Sequence, residues 1–175
     1  MQQSDADEFF NALMEKLEAF LKGAGRHDIL EHSFEGRLSN QLICEECPHR
    51  SEKEEAFLSV GVEIRGKSTL EEALEGFVEG EVLAGNNAYL CEPCQKRVRT
   101  TKRLCFDRLP RVLVIVVKRF EFNYDEMRKI KLNSQLRFPF RLDMTPYTAS
   151  HLAGHNPLQN PNYLLTGAVI HSGTS

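Results

Sequence analysis

The sequence contains no apolar run approaching the roughly eighteen residues that a membrane-crossing helix requires, so no membrane partner is expected. It has no internal repeat. It also lacks an excess of either charge: 22 basic residues stand against 25 acidic ones, for a net charge of −3. That balance does not support nonspecific nucleic-acid binding, and a protein partner fits better. In the one basic cluster, Lys96-Arg97-Val98-Arg99-Thr100-Thr101-Lys102-Arg103, the charges are interrupted by strand formers and no aromatic platform is present for base stacking. It reads as a solvated strand face, and no nucleic-acid partner is expected. No signal or transit segment is visible, and the cysteines number five, an odd count. A secreted disulfide scaffold is thereby disfavoured, and the expected compartment is reducing: the cytoplasm, with the nucleus also open.

At 175 residues, 41% hydrophobic and 27% charged, the chain can form one domain with a good core or two small lobes. Four of its cysteines stand in two knuckles, Cys44-Glu45-Glu46-Cys47 and Cys91-Glu92-Pro93-Cys94, with 43 residues between them. Two Cys-x-x-Cys turns supply four thiolates, the ligand set of a closed tetrahedral zinc site that holds distant segments together and leaves no position open for substrate. The competing readings are two disulfides or four unrelated core cysteines, and the paired spacing favours zinc. His49 is close enough to stand in for a thiolate, but four cysteines already fill the shell, so it reads as a surface histidine. Cys105 follows the alternation of a strand, as a small inert core residue does.

In chain order, Asp5-Ala6-Asp7-Glu8 has the form of a capping box. Phe9, Phe10, Leu13, Met14, Leu17, Phe20 and Leu21 then recur at helical spacing up to Gly23. That broad apolar face requires a partner, and Met1 is expected to be the start of a fragment. From Phe34 to Ile43 the pattern is extended. Past the first knuckle, Leu58, Val60, Val62 and Ile64 lie at period two, and the strands flanking the knuckle are expected to form a ribbon pinned at its tip by the metal. Glu52-Lys53-Glu54-Glu55 reads as solvated strand surface. Ser68-Thr69-Leu70-Glu71-Glu72 is a second capping signature, opening a helix over 69–80. Residues 97–106 return as a strand. The most apolar run, 112–117, is expected to be a strand buried on both faces at the centre of a sheet. Residues 132–142 suggest another extended pair broken at Pro139, 148–162 a loop insertion, and 163–170 a last strand. His151 and His155 in that loop lack the helix that would make them ligands.

These segments, in this order and with these separations, resemble the ubiquitin-specific protease family of cysteine deubiquitinases over nearly the whole chain. The resemblance is carried by Gln3-Ser4-Asp5-Ala6-Asp7-Glu8-Phe9, the paired knuckles, Leu109-Pro110 through Lys118-Arg119-Phe120, and Tyr163-x-Leu165-x-Gly167 through His171-Ser172-Gly173. The wording of Ile43 to Arg50, Gly80 to Tyr89 and Leu142 to Tyr147 is most similar to the large fat-facets-like branch. The resemblance implies an α+β, papain-like cysteine protease fold: a partial thumb over 1–33, zinc-ribbon fingers over 34–108, and an antiparallel palm sheet over 109–175. It implies structural zinc on Cys44, Cys47, Cys91 and Cys94, with ubiquitin and ubiquitinated proteins as partners. It also implies hydrolysis of the isopeptide bond after ubiquitin's C-terminal glycine, by a cysteine thiolate that a histidine activates. Gln3 and Asp5 match family residues near the path of the ubiquitin tail, although Asp5 equally serves as a helix cap. The family's nucleophile box lies upstream of the Gln-x-Asp-Ala segment and its catalytic histidine just after the His-Ser-Gly turn; these 175 residues hold neither. The expectation is a catalytic-domain fragment that is inactive alone, poorly soluble and without a Cys105–His171 dyad. The alternative is a noncatalytic ubiquitin-binding zinc module.

Overall fold

Capping and alternation resolve into four α-helices and twelve β-strands in the computed structural model, which describes residues 6–26, 28–123, 127–155 and 161–170. Helix α1, Ala6–Gly23, carries Asp7 and Glu8 in its first turn and Lys22 in its last, the arrangement that complements the helix dipole. Met14 is buried, but Phe9 and Phe20 are 65% and 74% exposed, so most of the apolar face that the spacing defines meets no partner among the described residues. The Asp5 cap lies outside them. Helix α2, Asp28–Phe34, was not expected from the sequence. It buries only Leu30, and seven residues with one buried apolar side chain leave no periodicity to read.

Strands β1, Gly36–Cys44, and β2, Arg50–Phe57, form an antiparallel hairpin around the first knuckle, with Gly36 opposite Phe57 and Ile43 opposite Arg50. Here the expected ribbon partner is corrected. A hairpin that turns at 44–49 consumes residues 50–57 in register, so the charged run itself pairs with β1, and the apolar 58–64 segment lies beyond the ribbon. Gly36 is required at the base: a Cβ there would lie 2.3 Å from the Phe57 ring and 2.9 Å from the Arg108 carbonyl. Strand β3, Val60–Glu63, instead leads into the core, with Val60, Val62 and Ile64 buried.

Helix α3, Leu70–Val78, is capped as its sequence indicates. The Thr69 hydroxyl accepts from Glu72 N–H at 3.2 Å, and the Glu72 carboxylate accepts from Ser68 N–H at 2.7 Å. The helix ends before the expected 80 because Glu79 turns extended. Strand β4, Glu81–Leu83, and a 3-10 turn at Gly85–Asn87 lead to β5, Tyr89–Cys91, and β6, Lys96–Val98, the hairpin of the second knuckle. Strand β7, Thr100–Arg108, completes an antiparallel sheet of order β2-β1-β7-β4. Beneath it Phe106, fully buried, meets Phe57 edge-on at 5.8 Å and Phe77 at 5.5 Å, and Leu38, Ile64, Leu74, Met144 and Tyr147 fill the same core.

Toward the C-terminus the strands are short: β8 Ile115–Lys118, β9 Phe120–Asn123, β10 Arg128–Lys131, β11 Arg141–Asp143 and β12 Asn162–Leu164. β9–β10 and β11–β12 are antiparallel ladders, whereas β8 pairs with β3 in parallel. Three expectations are corrected here. Ile115 to Val117 are half-buried rather than covered on both faces, because β8 has one ladder neighbour among the described residues. Within 148–162, Thr148 caps a single helical turn, α4 Ala149–Leu152, by accepting from His151 N–H at 3.3 Å. The expected last strand over 163–170 is also shortened: pairing ends at Leu164, and residues 165–170 have no ladder among the described residues but are tied back where Leu165 N–H donates to the Phe140 carbonyl at 2.9 Å. No helix among the described residues is long and apolar enough to cross a membrane.

Candidate metal centre

The two knuckles meet at the end of the four-stranded sheet. Cys44 is the last residue of β1 and Cys91 the last of β5, so each knuckle begins where a strand stops. In the first, Cys44 N–H donates to the His49 carbonyl at 3.1 Å and Glu46 N–H to Cys44 Sγ at 3.4 Å. The second closes with Gln95 in the left-handed region, φ 52°, its N–H on the Glu92 carbonyl. Backbone N–H groups aimed at sulfur stabilise thiolate over thiol.

The four Sγ atoms lie within 4.8 Å of one another. Cys47 and Cys91 approach to 3.7 Å and Cys44 and Cys94 to 4.0 Å. A tetrahedron with Zn–S bonds of ~2.3 Å has S···S edges of about 3.8 Å, whereas a disulfide brings sulfurs to ~2.05 Å. All five cysteines are free, so the disulfide reading gives way to a site built for a metal ion. The sulfurs' electrostatics agree. The His49 backbone N–H, with Cys94 beside it, draws the Cys47 thiol down, while burial pushes Cys91 up. Hydrogen bonding with Cys47, together with burial, pushes Cys94 up to about 12. Four thiolates cannot crowd together without a cation, and a divalent ion removes that restriction while releasing their protons.

Around the sulfurs, four of the five basic residues of the 96–103 cluster have internal partners. Lys96 pairs with Glu46 at 2.6 Å and Arg99 with Glu45 at 2.8 Å, while Thr101 Oγ1 donates to Glu45 at 3.2 Å. Arg97 donates to the Ala88 carbonyl at 2.8 Å, and Arg103 Nε to Gln41 Oε1 at 2.8 Å. Gln41, 1% exposed, also accepts from Arg50 at 2.6 Å and gives its amide hydrogens to Ser39 and Glu52. Sequence reasoning missed both features. The signal for the first was present as Glu-Glu inside one knuckle and Lys and Arg just after the other. A glutamine on a strand that also carries apolar residues gives no sign that it will be buried.

Of the other candidates, His49 is half-buried and contributes its backbone rather than its ring. His151 and His155 join no ligating cluster among the described residues. Cys105 is fully buried, its thiol donating to the Ser39 carbonyl at 3.6 Å and pushed up by burial, the state of an inert core cysteine. Gln3, Asp5 and His171 lie outside the described residues.

Comparison with known proteins follows this geometry. The family model described as ubiquitin carboxyl-terminal hydrolase matches residues 1–175. The probable ubiquitin carboxyl-terminal hydrolase FAF of Drosophila melanogaster is 45% identical over 184 aligned residues, 98% of this chain. Human ubiquitin carboxyl-terminal hydrolase 24 is 40% identical over 195, again 98% of this chain. The chain spans 7% of the length of each. Among solved structures, the SAGA Ubp8/Sgf11/Sus1/Sgf73 DUB module bound to ubiquitin aldehyde aligns with a TM-score of 0.75 at 27% identity, covering 85% of this chain and 34% of that one. A SAGA DUB module bound to monoubiquitin aligns with a TM-score of 0.76 at 28% identity and the same coverage. The α+β architecture, with its cysteine-tipped antiparallel sheet, is thus the papain-like fold of the ubiquitin-specific protease type, and this chain belongs to the ubiquitin carboxyl-terminal hydrolase family.

Proposed function

We propose that these residues form the ubiquitin-holding part of a cysteine deubiquitinase catalytic domain. Residues 1–33 contribute to the thumb, 34–108 are the fingers with helix α3, Leu70–Val78, inserted, and 109–175 are the palm with its insertion at 148–162. The ion at Cys44, Cys47, Cys91 and Cys94 is structural zinc. The full-length parent hydrolyses isopeptide bonds at the ubiquitin C-terminus, its thiolate attacking the carbonyl carbon while a histidine manages the proton. The chain's own cysteines support reading it as inactive alone: four are gathered at the metal site and the fifth is buried. The likeness to modules solved with ubiquitin aldehyde and monoubiquitin carries the proposal.

Ubiquitin and ubiquitinated proteins are the partners in this reading, and neither nucleic acid nor membrane belongs to it. The internal pairing of Lys96, Arg97, Arg99 and Arg103 supports that exclusion. The proposed compartment is the cytoplasm, with the nucleus also open, to be checked by imaging a fluorescent fusion. Gln3 and Asp5 are proposed to border the ubiquitin tail. Asp5→Asn separates the two roles of that residue, since asparagine caps a helix as well as aspartate does but carries no charge for the tail's arginines. The expected outcome is about tenfold weaker ubiquitin binding, some 1.4 kcal/mol, with an unchanged melting temperature.

The test of the whole reading compares this chain with a protein extended on both sides. The extended protein should cleave a ubiquitin-tail reporter, and the chain alone should bind ubiquitin without cleaving it. Binding by both with cleavage by neither would replace the enzyme with a noncatalytic ubiquitin-binding zinc module.

A further inference from the structure

Two sulfur pairs meet across the gap between the knuckles: Cys47 and Cys91 at 3.7 Å, and Cys44 and Cys94 at 4.0 Å. Each of these pairs joins one half-buried sulfur, Cys47 or Cys94, to one buried sulfur, Cys91 or Cys44. A frame that includes no sulfur holds the two turns face to face. Lys96 reaches Glu46 at 2.6 Å, Arg99 reaches Glu45 at 2.8 Å, and Glu45 N–H donates to the Arg99 carbonyl at 3.2 Å. All three contacts tie the first knuckle to the chain just past the second, so the opposition of the knuckles does not depend on the ion alone.

We infer that the tip is a site of oxidative modification, at which a hydroperoxide expels the metal and joins the knuckles through Cys47–Cys91 and Cys44–Cys94 disulfides. The inference rests on the zinc reading above. The half-buried Cys47 or Cys94 sulfur attacks one peroxide oxygen; the O–O bond breaks, hydroxide leaves and a sulfenic acid forms. Its partner across the gap, Cys91 for Cys47 or Cys44 for Cys94, then attacks that sulfur. An S–S bond forms, the S–O bond breaks, and a second hydroxide departs. Each disulfide passes two electrons from two sulfurs to one peroxide, so two peroxides oxidise the site and release one divalent ion. For Cys47 and Cys91 the sulfurs close by only about 1.7 Å to reach bonding distance.

The pairing determines what oxidation does to the fold. Disulfides across the gap connect residues 44 and 50 positions apart, so they replace the metal as the link between the two hairpins. Disulfides within each knuckle would close only four-residue rings and leave the hairpins unlinked. The oxidised tip therefore keeps its alignment after the ion has gone.

The test begins with metal analysis of the reduced chain, followed by titration with hydrogen peroxide in the presence of a chromogenic zinc chelator, alkylation, and mass spectrometry of a non-reducing digest. One zinc should be released per two peroxides. Peptides linked through Cys47–Cys91 and Cys44–Cys94 should exceed the within-knuckle products at least tenfold, with Cys105 recovered as the free thiol. Zinc present and lost with mainly within-knuckle disulfides, with sulfinic acids in place of cross-links, or zinc retained throughout, would overturn this inference alone. No zinc at the start would overturn both this inference and the metal reading. Combining Glu45→Gln with Glu46→Gln removes the charged frame while sparing every sulfur, and is expected to raise the within-knuckle share several-fold. An unchanged product ratio would overturn the role assigned to the frame.

Discussion

The cysteine-tipped sheet and the C-terminal ladders solve the same problem in opposite ways. In the sheet, two nine-residue strands, β1 and β7, pair along nearly their full length, and the polar side chains that become buried, Ser39 and Gln41, find partners. In the ladders, strands of three or four residues stand in pairs, and Phe120, Phe122, Phe138, Phe140 and Leu164 remain exposed. The sheet closes on itself through charge pairing and a four-sulfur clip. The ladders leave much of that apolar surface exposed, which is the pattern of a face that meets another surface.

The comparison is broken most severely at the clip. Cys91→Ser should abolish stoichiometric zinc and lower the melting temperature by about 10 °C. Structural zinc in small peptides contributes ~10–16 kcal/mol, and even a third of that moves the midpoint this far in a chain of this size. Metal analysis and a thermal scan check it. Phe106→Ala, where both halves share their core, should cost about 3–5 kcal/mol in denaturant unfolding, with the loss spread across the whole molecule. Gln41→Ala removes the acceptor of Arg103 Nε and one of the two acceptors of Arg50, which keeps Glu52 at 2.8 Å, and should cost on the order of 1–3 kcal/mol, accompanied by faster amide exchange confined to the sheet.

A pH series sharpens the contrast. Burial holds Tyr147 and Tyr163, both in the C-terminal part, up at about 12. In the unfolded chain they ionise near pH 10, so between pH 10 and 12 the unfolded state binds fewer protons than the folded one and stability falls as pH rises. Phenylalanine at either position should flatten that decline in alkaline thermal scans. The smallest effect belongs to Phe140→Ser: at 70% exposure it should change stability by less than about 0.5 kcal/mol while lowering light scattering, which separates surface cost from fold cost.

The same contrast governs how much could be read from the sequence. The clip was legible because its ligands must stand in pairs at fixed spacing, and α3 because Thr69 and Glu72 announce its start. The exposed run 52–55 was legible as charge. The pairing of β3 with β8 was not, since parallel partners 55 residues apart leave no trace in local periodicity, and Val60 to Ile64 alternates identically whichever neighbour it takes. The burial of Gln41 was illegible for a related reason: it depends on Arg50 and Arg103 arriving from two other strands. Helix α2 was too short to declare itself, and the Val112 to Val117 run suggested a deeper strand than the one ladder neighbour it has among the described residues provides.

That distant parallel pairing has a kinetic consequence. Bringing β3 to β8 means closing a long loop before any contact offsets its entropy, an intrinsically slow step. Were the knuckles already joined by an ion, the path between the two segments would run through the clip and be shorter by roughly a third. An ion captured at the knuckles ahead of collapse would in this way speed assembly of the body, giving the tip an influence on folding rate that reaches beyond its own few residues.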